Sequence, residues 1–227
     1  MSITLTLTGK SSELTANYFP PIELSGDYVC GLVDFSTYNS IPNVDHKNNL
    51  FHIGDHEIEI PIGSYEVDDI IAYICSKHAI LDPKKNLVIH ANNNTLKIEV
   101  FSEKDTIYFN RDRSIGSLLG FKTKLKPNQV HVSENPINIS RVNVIRINCN
   151  LIMDSYINNM SAHTLHQFDN NVAPGYKISE IPRTLIYLPI NTKRISTLSI
   201  NIVDQDSELI NFREETITLR IHLKPKL

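Results

Sequence analysis

Apolar residues at every second position constrain this chain more than any other feature of it. Ile3, Leu5 and Leu7 alternate with Thr4, Thr6 and Thr8, and near the other end Ile217, Leu219, Ile221 and Leu223 alternate with Thr218, Arg220 and His222. Successive side chains of an extended backbone point to opposite faces, so each run has one face for a core and one for solvent, with Arg220 and His222 outward. Ile145, Ile147, Cys149 and Leu151 repeat the pattern, whereas Val142 and Val144 stand one residue out of phase, which predicts a bulge near Val144. Further strands are read at 28–35, 56–60, 87–90, 95–101, 107–109, 185–190 and 198–203, a total of about nine to eleven. Gly31, inside the strand read at 28–35, marks a bulge or a close backbone approach.

Only one long stretch changes period. Val67, Ile70, Ile71 and Ile74 lie at i, i+3, i+4 and i+7, one stripe of an amphipathic helix over about 65–78, with Ser64 as N-cap. Glu66, Asp68 and Asp69 put negative charge in its first turn, where the helix dipole favours it, and Pro83 bounds its end. A short helical turn at about 114–120 is expected to start at Ser114, stop at Gly120 and press Leu118, Leu119 and Phe121 on a sheet. Ala91-Asn92-Asn93-Asn94 signals a hairpin, and Pro20 and Pro21 restrict Tyr18-Phe19-Pro20-Pro21 to an edge strand or an extended connector. No repeat or low-complexity linker divides the 227 residues. The expectation is a mainly β chain: a single jelly-roll-like antiparallel sandwich over 1–227, with a β-α-β elaboration at 51–127. A doubly wound α/β fold would need many more helices.

The formal charge of -3 gives no general attraction to phosphate backbones or anionic lipid, so nucleic acid is not an expected partner unless a local patch holds it. No apolar run approaches the roughly 18 residues that span a bilayer. The start of the chain alternates where a signal peptide would run apolar, so the expected site of synthesis is the cytoplasm or nucleus, without secretion. Three cysteines, Cys30, Cys75 and Cys149, sit in apolar segments and read as buried thiols of a reducing compartment, not as a disulfide framework. On that reading the Asn-x-Ser/Thr triplets at Asn93, Asn138 and Asn159 are chance matches.

Candidate chemistry is thin. His163 and His166 stand at i and i+3 with Asp169 nearby, adequate for a metal only on a helix and with a third ligand. Asp68 and Asp69 are adjacent on a helix and do not face each other. Asp204 and Asp206 suit a turn as well as a cation. Lys122, Lys124 and Lys126 project to one side of an extended segment, as a solvated or lysine-guarded edge, or as an anion or nucleic-acid contact. No phosphate-cradling loop, nucleophile elbow, His-Glu-x-x-His or Cys-x-x-Cys is present, although a triad built from Cys30 or Cys75 and a distant histidine would leave no local trace. The expectation is therefore a protein without catalytic residues, cofactor or metal.

Several phrases carry a resemblance: Pro20-Pro21-Ile22-Glu23-Leu24, Gly31-Leu32-Val33-Asp34-Phe35, Ile60-Pro61-Ile62-Gly63-Ser64-Tyr65, Ala91-Asn92-Asn93-Asn94-Thr95, Ile115-Gly116-Ser117-Leu118-Leu119-Gly120-Phe121, Pro174-Gly175-Tyr176-Lys177-Ile178, Val203-Asp204-Gln205 and Arg220-Ile221-His222-Leu223. Together they resemble proteins of the virus-like Polinton (Maverick) elements and of adintoviruses. Within such elements, size and β content are similar to the minor capsid or penton protein, a single jelly roll at the fivefold vertices of an icosahedral shell. The major capsid protein of that lineage is a double jelly roll and much longer. The resemblance implies a virion protein that is no enzyme, with two kinds of partner: itself, as a homopentamer, and the double-jelly-roll major capsid protein.

A cyclic ring uses heterologous contacts, so one flank must differ from the other. The expected contact residues are Tyr18, Phe19, Pro20 and Pro21 near the start, and Tyr156, Phe168 and Tyr176 in a segment, 153–176, read as an apolar-rich loop without strand or helix period. The competing reading is a β-sandwich recognition module, a receptor- or glycan-binding spike component, for which nine Tyr and eight Phe supply aromatic surface but no Trp is present.

Overall fold

The structure is a computed structural model and describes residues 2–226. The chain divides into two compact units, one of residues up to Ile41 together with those from Val142 onward, the other Pro42–Arg141. In chain order the first unit opens with β1 (Ile3–Gly9), β2 (Glu13–Glu23) and β3 (Tyr28–Tyr38). The second unit follows with β4 (Leu50–Ile53), β5 (His56–Glu59), α1 (Val67–Leu81), β6 (Leu87–Asn92), β7 (Lys97–Ser102), β8 (Ile107–Tyr108), α2 (Gly116–Leu119), β9 (Lys124–Leu125) and β10 (Val130–Val132). The first unit then resumes with β11 (Val144–Cys149), β12 (Ser155–Ile157), β13 (Met160–Ala162), β14 (Thr164–Asp169), β15 (Lys177–Glu180), β16 (Leu188–Pro189), β17 (Arg194–Val203) and β18 (Ile217–Pro225). The eighteen strands among the described residues exceed the expected number because several are pieces of two or three residues that carry too little pattern to be read.

The first unit is the sandwich. One sheet runs β1-β18-β3-β15, with β16 also on β3, and the other runs β14-β11-β17-β2. Ranked by their order along the chain, the eight strands of these two paths read 1-8-3-6 and 5-4-7-2, the double Greek key of a jelly roll, and every ladder is antiparallel. The alternation explains the core. Ile217, Leu219, Ile221 and Leu223 are fully buried with Leu5 and Leu7 from one sheet, against Ile145, Ile147, Cys149, Leu198, Ile200 and Ile202 from the other. Arg220 faces out as expected, and the outward His222 accepts or donates a 2.8 Å hydrogen bond with the Tyr187 hydroxyl. That strap explains Gly31: a Cβ there would come within 2.9 Å of the Ile186 carbonyl oxygen, so glycine answers a close approach.

The bulge is not at Val144, which pairs in register with Asp169 and sits half-buried at the end of its strand. The irregularity lies between Ile147 and Asn148, where Ile147 faces His166 and Asn148 faces Thr164. Leu165 is the extra residue, and it lets two neighbours, Thr164 and Leu165, both turn inward.

The second unit has its own core. A sheet β5-β4-β8-β9 and a sheet β10-β7-β6 enclose Phe51, Ile53, Ile70, Ile74, Ile98, Val100, Ile107, Leu119 and Phe121. The β6–β7 hairpin forms as expected, its turn held by Asn92 Oδ1 accepting the N–H groups of Asn94 and Thr95, although the left-handed residue is Leu96. Helix α1 buries Ile70, Ile74 and His78, but its N-cap is Glu66 in extended backbone and not Ser64, and it runs three residues beyond the expected end. Nothing before Pro83 stops it, and Asp82, which Pro83 disfavours from helical backbone, is its last cap. Ser114 Oγ accepts the Gly116 N–H at 3.2 Å while Ile115 occupies the cap position of α2, and Gly120 ends that turn at a φ of 84°.

Candidate subunit interface

β2 and β14 are the two edges of one sheet, and they carry most of the expected contact residues. Along β2 the ladder with β17 breaks between Ile195 and Thr197: Ile195 faces Ile22 and Thr197 faces Asn17, so the four residues Tyr18-Phe19-Pro20-Pro21 stand opposite Ser196 alone. Two prolines without N–H groups cannot hold a ladder, and the edge arches outward there. Tyr18 turns back against the core, where burial pushes its hydroxyl pKa up. Phe19 is 100% exposed, Pro20 is exposed and Pro21 half-buried. An unpaired aromatic ring on an arch of an edge strand has no function in holding this unit together.

The opposite edge is built differently. The segment 153–176 is not a loop; it holds the hairpin β12–β13 and the strand β14. The signal was available in Ile157-Asn158-Asn159-Met160, where an Asn-Asn pair suits a two-residue turn and Asn158 adopts a φ of 54°. Tyr156 and Met160, the latter unremarked in the sequence, flank that turn with 68% of each exposed. Phe168 is half-buried, its ring 5.4 Å from that of Phe35. His166 Nε2 lies 3.0 Å from Glu180 Oε1, which ties β14 to β15, the edge of the facing sheet. Tyr176 stands just before β15 with 69% of its surface exposed, after Gly175 at a φ of 81°. The seven residues thus fall on two flanks of unlike make: an arched, proline-bearing edge with Phe19, and a hairpin-bearing edge with Tyr156 and Tyr176.

The chemical candidates resolve into structural contacts. His163 precedes the strand that carries His166, so the two do not share a helical face; His163 Nδ1 lies 2.8 Å from the Ile152 carbonyl oxygen. Asp204 Oδ1 accepts the N–H groups of Asp206 and Glu208 and shapes a turn. Among the described residues no group of three or more His, Cys, Asp or Glu is placed to hold a metal ion, and no helix is long and apolar enough to cross a membrane. Cys30 and Cys149 are buried in the sandwich core as free thiols, and Cys75 is half-buried. Burial pushes Cys149 up to about 11 against the pull of the Leu151 and Ile152 N–H groups, and pushes Cys30 higher still, with the neighbouring Cys149 adding to it. Such thiols are poor nucleophiles. Lys122, Lys124 and Lys126 are exposed around the buried Leu125, and β9 is an edge strand.

No family model matches the chain, and no curated protein matches it. Among solved structures it is similar to the mavirus penton protein, in a crystal structure of the selenomethionine-labelled protein, with a TM-score of 0.53, 14% identity and 99% of each chain covered. The likeness is one of fold: the chain is mainly β with a jelly-roll-like sandwich, similar to the mavirus penton protein.

Proposed function

We propose that this chain is a structural virion protein, a penton-like minor capsid subunit of a Polinton (Maverick) or adintovirus-type element. It assembles with itself as a homopentamer and meets a double-jelly-roll major capsid protein at the icosahedral vertices. The observation that carries the reading is the end-to-end likeness to a penton protein, 99% of both chains, in a molecule whose sandwich has the jelly-roll strand order. Two unlike flanks are what a ring of heterologous contacts needs, and the exposed Phe19, Tyr156 and Tyr176 are the contact residues assigned to them. Tyr18, Pro20 and Pro21 shape the arch, and Phe168 braces the other edge. In this role the protein performs no catalysis and uses no cofactor.

The test is co-expression with the double-jelly-roll major capsid protein of the same element, followed by electron microscopy of the particles. Density for this chain at the fivefold vertices supports the proposal. Shells that close with the vertices filled by another protein, or that carry this chain elsewhere, overturn it.

A further inference from the structure

A cleft of about 550 Å³ opens in the second unit beside α2, lined among others by Lys47, Arg111, Arg113, Lys122 and Asp112. A smaller depression of about 280 Å³ shares Lys47, Ser117 and Asn138 with it. Four cations against one carboxylate make this a positive spot on a chain of net charge -3. Their duties differ. Arg113 is engaged: its Nη2 donates to Asn49 Oδ1 at 2.7 Å and lies 3.2 Å from Glu59 Oε1. Arg111 lies over the ring of Tyr108, 4.0 Å from its centroid, which fixes the guanidinium without neutralising it. Nearby, Arg141 is engaged with Asp45 at 2.5 Å. Among the described residues neither the Lys47 nor the Lys122 ammonium lies within ion-pair distance of an Asp or Glu, although Lys47 contributes to the positive field that lowers the pKa of Asp45.

We infer that this cleft binds a short acidic peptide segment of a partner protein, with Lys47, Lys122 and Arg111 as the carboxylate contacts. Three features favour a peptide over nucleic acid. The lining includes Asp112, whose carboxylate only accepts hydrogen bonds, which suits a peptide's N–H groups and repels a phosphodiester. Among the described residues of the cleft lining no ring is open for a base to stack on: Phe109 and Phe121 are buried and stacked on each other at 4.7 Å, and one face of the neighbouring Tyr108 is taken by Arg111. The overall charge repels a long polyanion, while a few carboxylates meet only the local field. Every lining residue of the cleft belongs to the second unit, and its binding does not depend on the capsid reading.

The experiment is fluorescence anisotropy of a labelled hexaglutamate peptide titrated with the full chain, beside hexaglutamine, a single-stranded oligothymidylate and inorganic phosphate as competitor. Saturable hexaglutamate binding that weakens with salt is expected, with hexaglutamine silent. The double variant Lys47→Gln/Lys122→Gln, changed only at charged residues of the cleft rim, should weaken it about tenfold or more, and Arg111→Gln should weaken it separately. Lys10→Gln, in the first unit, should leave it unchanged. Absence of saturable binding, binding indifferent to both cleft variants, or tighter binding of the oligothymidylate than of the peptide overturns the inference; equal competition by phosphate at the concentration of peptide carboxylate does so too, since it reduces the site to a general anion spot.

Discussion

Phe35 in β3 and Phe168 in β14 meet with ring centroids 5.4 Å apart and planes at 51°, so the edge strand of one sheet is fastened to an inner strand of the other. Phe35 is fully buried and also meets Phe212, at 6.5 Å. Phe168→Ser therefore removes a ring from the core as well as from the flank. The expected cost is about 2 to 3 kcal/mol of unfolding free energy, below the value for a fully buried ring because Phe168 is half-buried. A urea-denaturation midpoint equal to that of the unsubstituted chain would contradict this assignment.

Phe19→Ser is the opposite case. The ring is 100% exposed on the arch of β2, so stability should change by no more than about 0.5 kcal/mol. Association between subunits should weaken, because a fully exposed aromatic ring is the kind of anchor that binding energy concentrates on. The pair of variants separates folding from assembly: one loses stability, the other only association. Sedimentation velocity alongside denaturation reads both.

Alkaline pH should loosen the sandwich. Burial raises the thiol of Cys149 to about 11, and Cys30 is raised further in the same direction. Unfolded thiols ionise near pH ~8.5, so below that value both states are protonated and the stabilisation is complete. As pH rises, the unfolded chain ionises first, and the contribution is lost progressively up to the folded pKa. For Cys149 the loss amounts to about 2 to 3 kcal/mol between roughly pH 9 and 11. Denaturation midpoints across that window should fall more steeply for the unsubstituted chain than for Cys149→Ala.

Gly120→Ala should destabilise the second unit by about 2 kcal/mol or more. The residue has a φ of 84°, and a Cβ there would sit 2.1 Å from the Asn135 backbone oxygen, so neither the backbone nor the neighbour can yield cheaply. Thermal unfolding of the variant checks it, with Gly26→Ala as comparison, since the φ of 95° at Gly26 strains a side chain too but nothing lies within 4 Å of its Cβ.

Much of this was legible in the residues. The period of two in Ile217, Leu219, Ile221 and Leu223 placed all four in the core, and the prolines after Phe19 excluded a central strand, leaving an edge or a connector, of which the structure has the edge. The period of helix α1 was equally plain, but its N-cap was not, because Ser64 is of a capping residue type whereas the observed cap, Glu66, makes no side-chain cap hydrogen bond and is set by backbone geometry alone. Partnership was out of reach: β1 pairs with β18 across almost the whole chain, and nothing local in Ile3 or Leu223 announces the other. The same holds for the flanks. Phe19 and Tyr176 looked alike as aromatic residues beside proline or glycine, and only the sheet order put them on opposite edges. The cleft beside α2 was half visible, through Lys122, but Lys47 and Arg111 reach it only by folding.

The most direct test of the central claim is the absolute mass of the purified protein in solution, by light scattering over a concentration series. The expected result is a mass that rises to a plateau at five times the 25.8 kDa of one chain, with Phe19→Ser lowering or abolishing the plateau. A mass that stays at one chain at every concentration, with the major capsid protein present or absent, would contradict it and favour a monomeric recognition module.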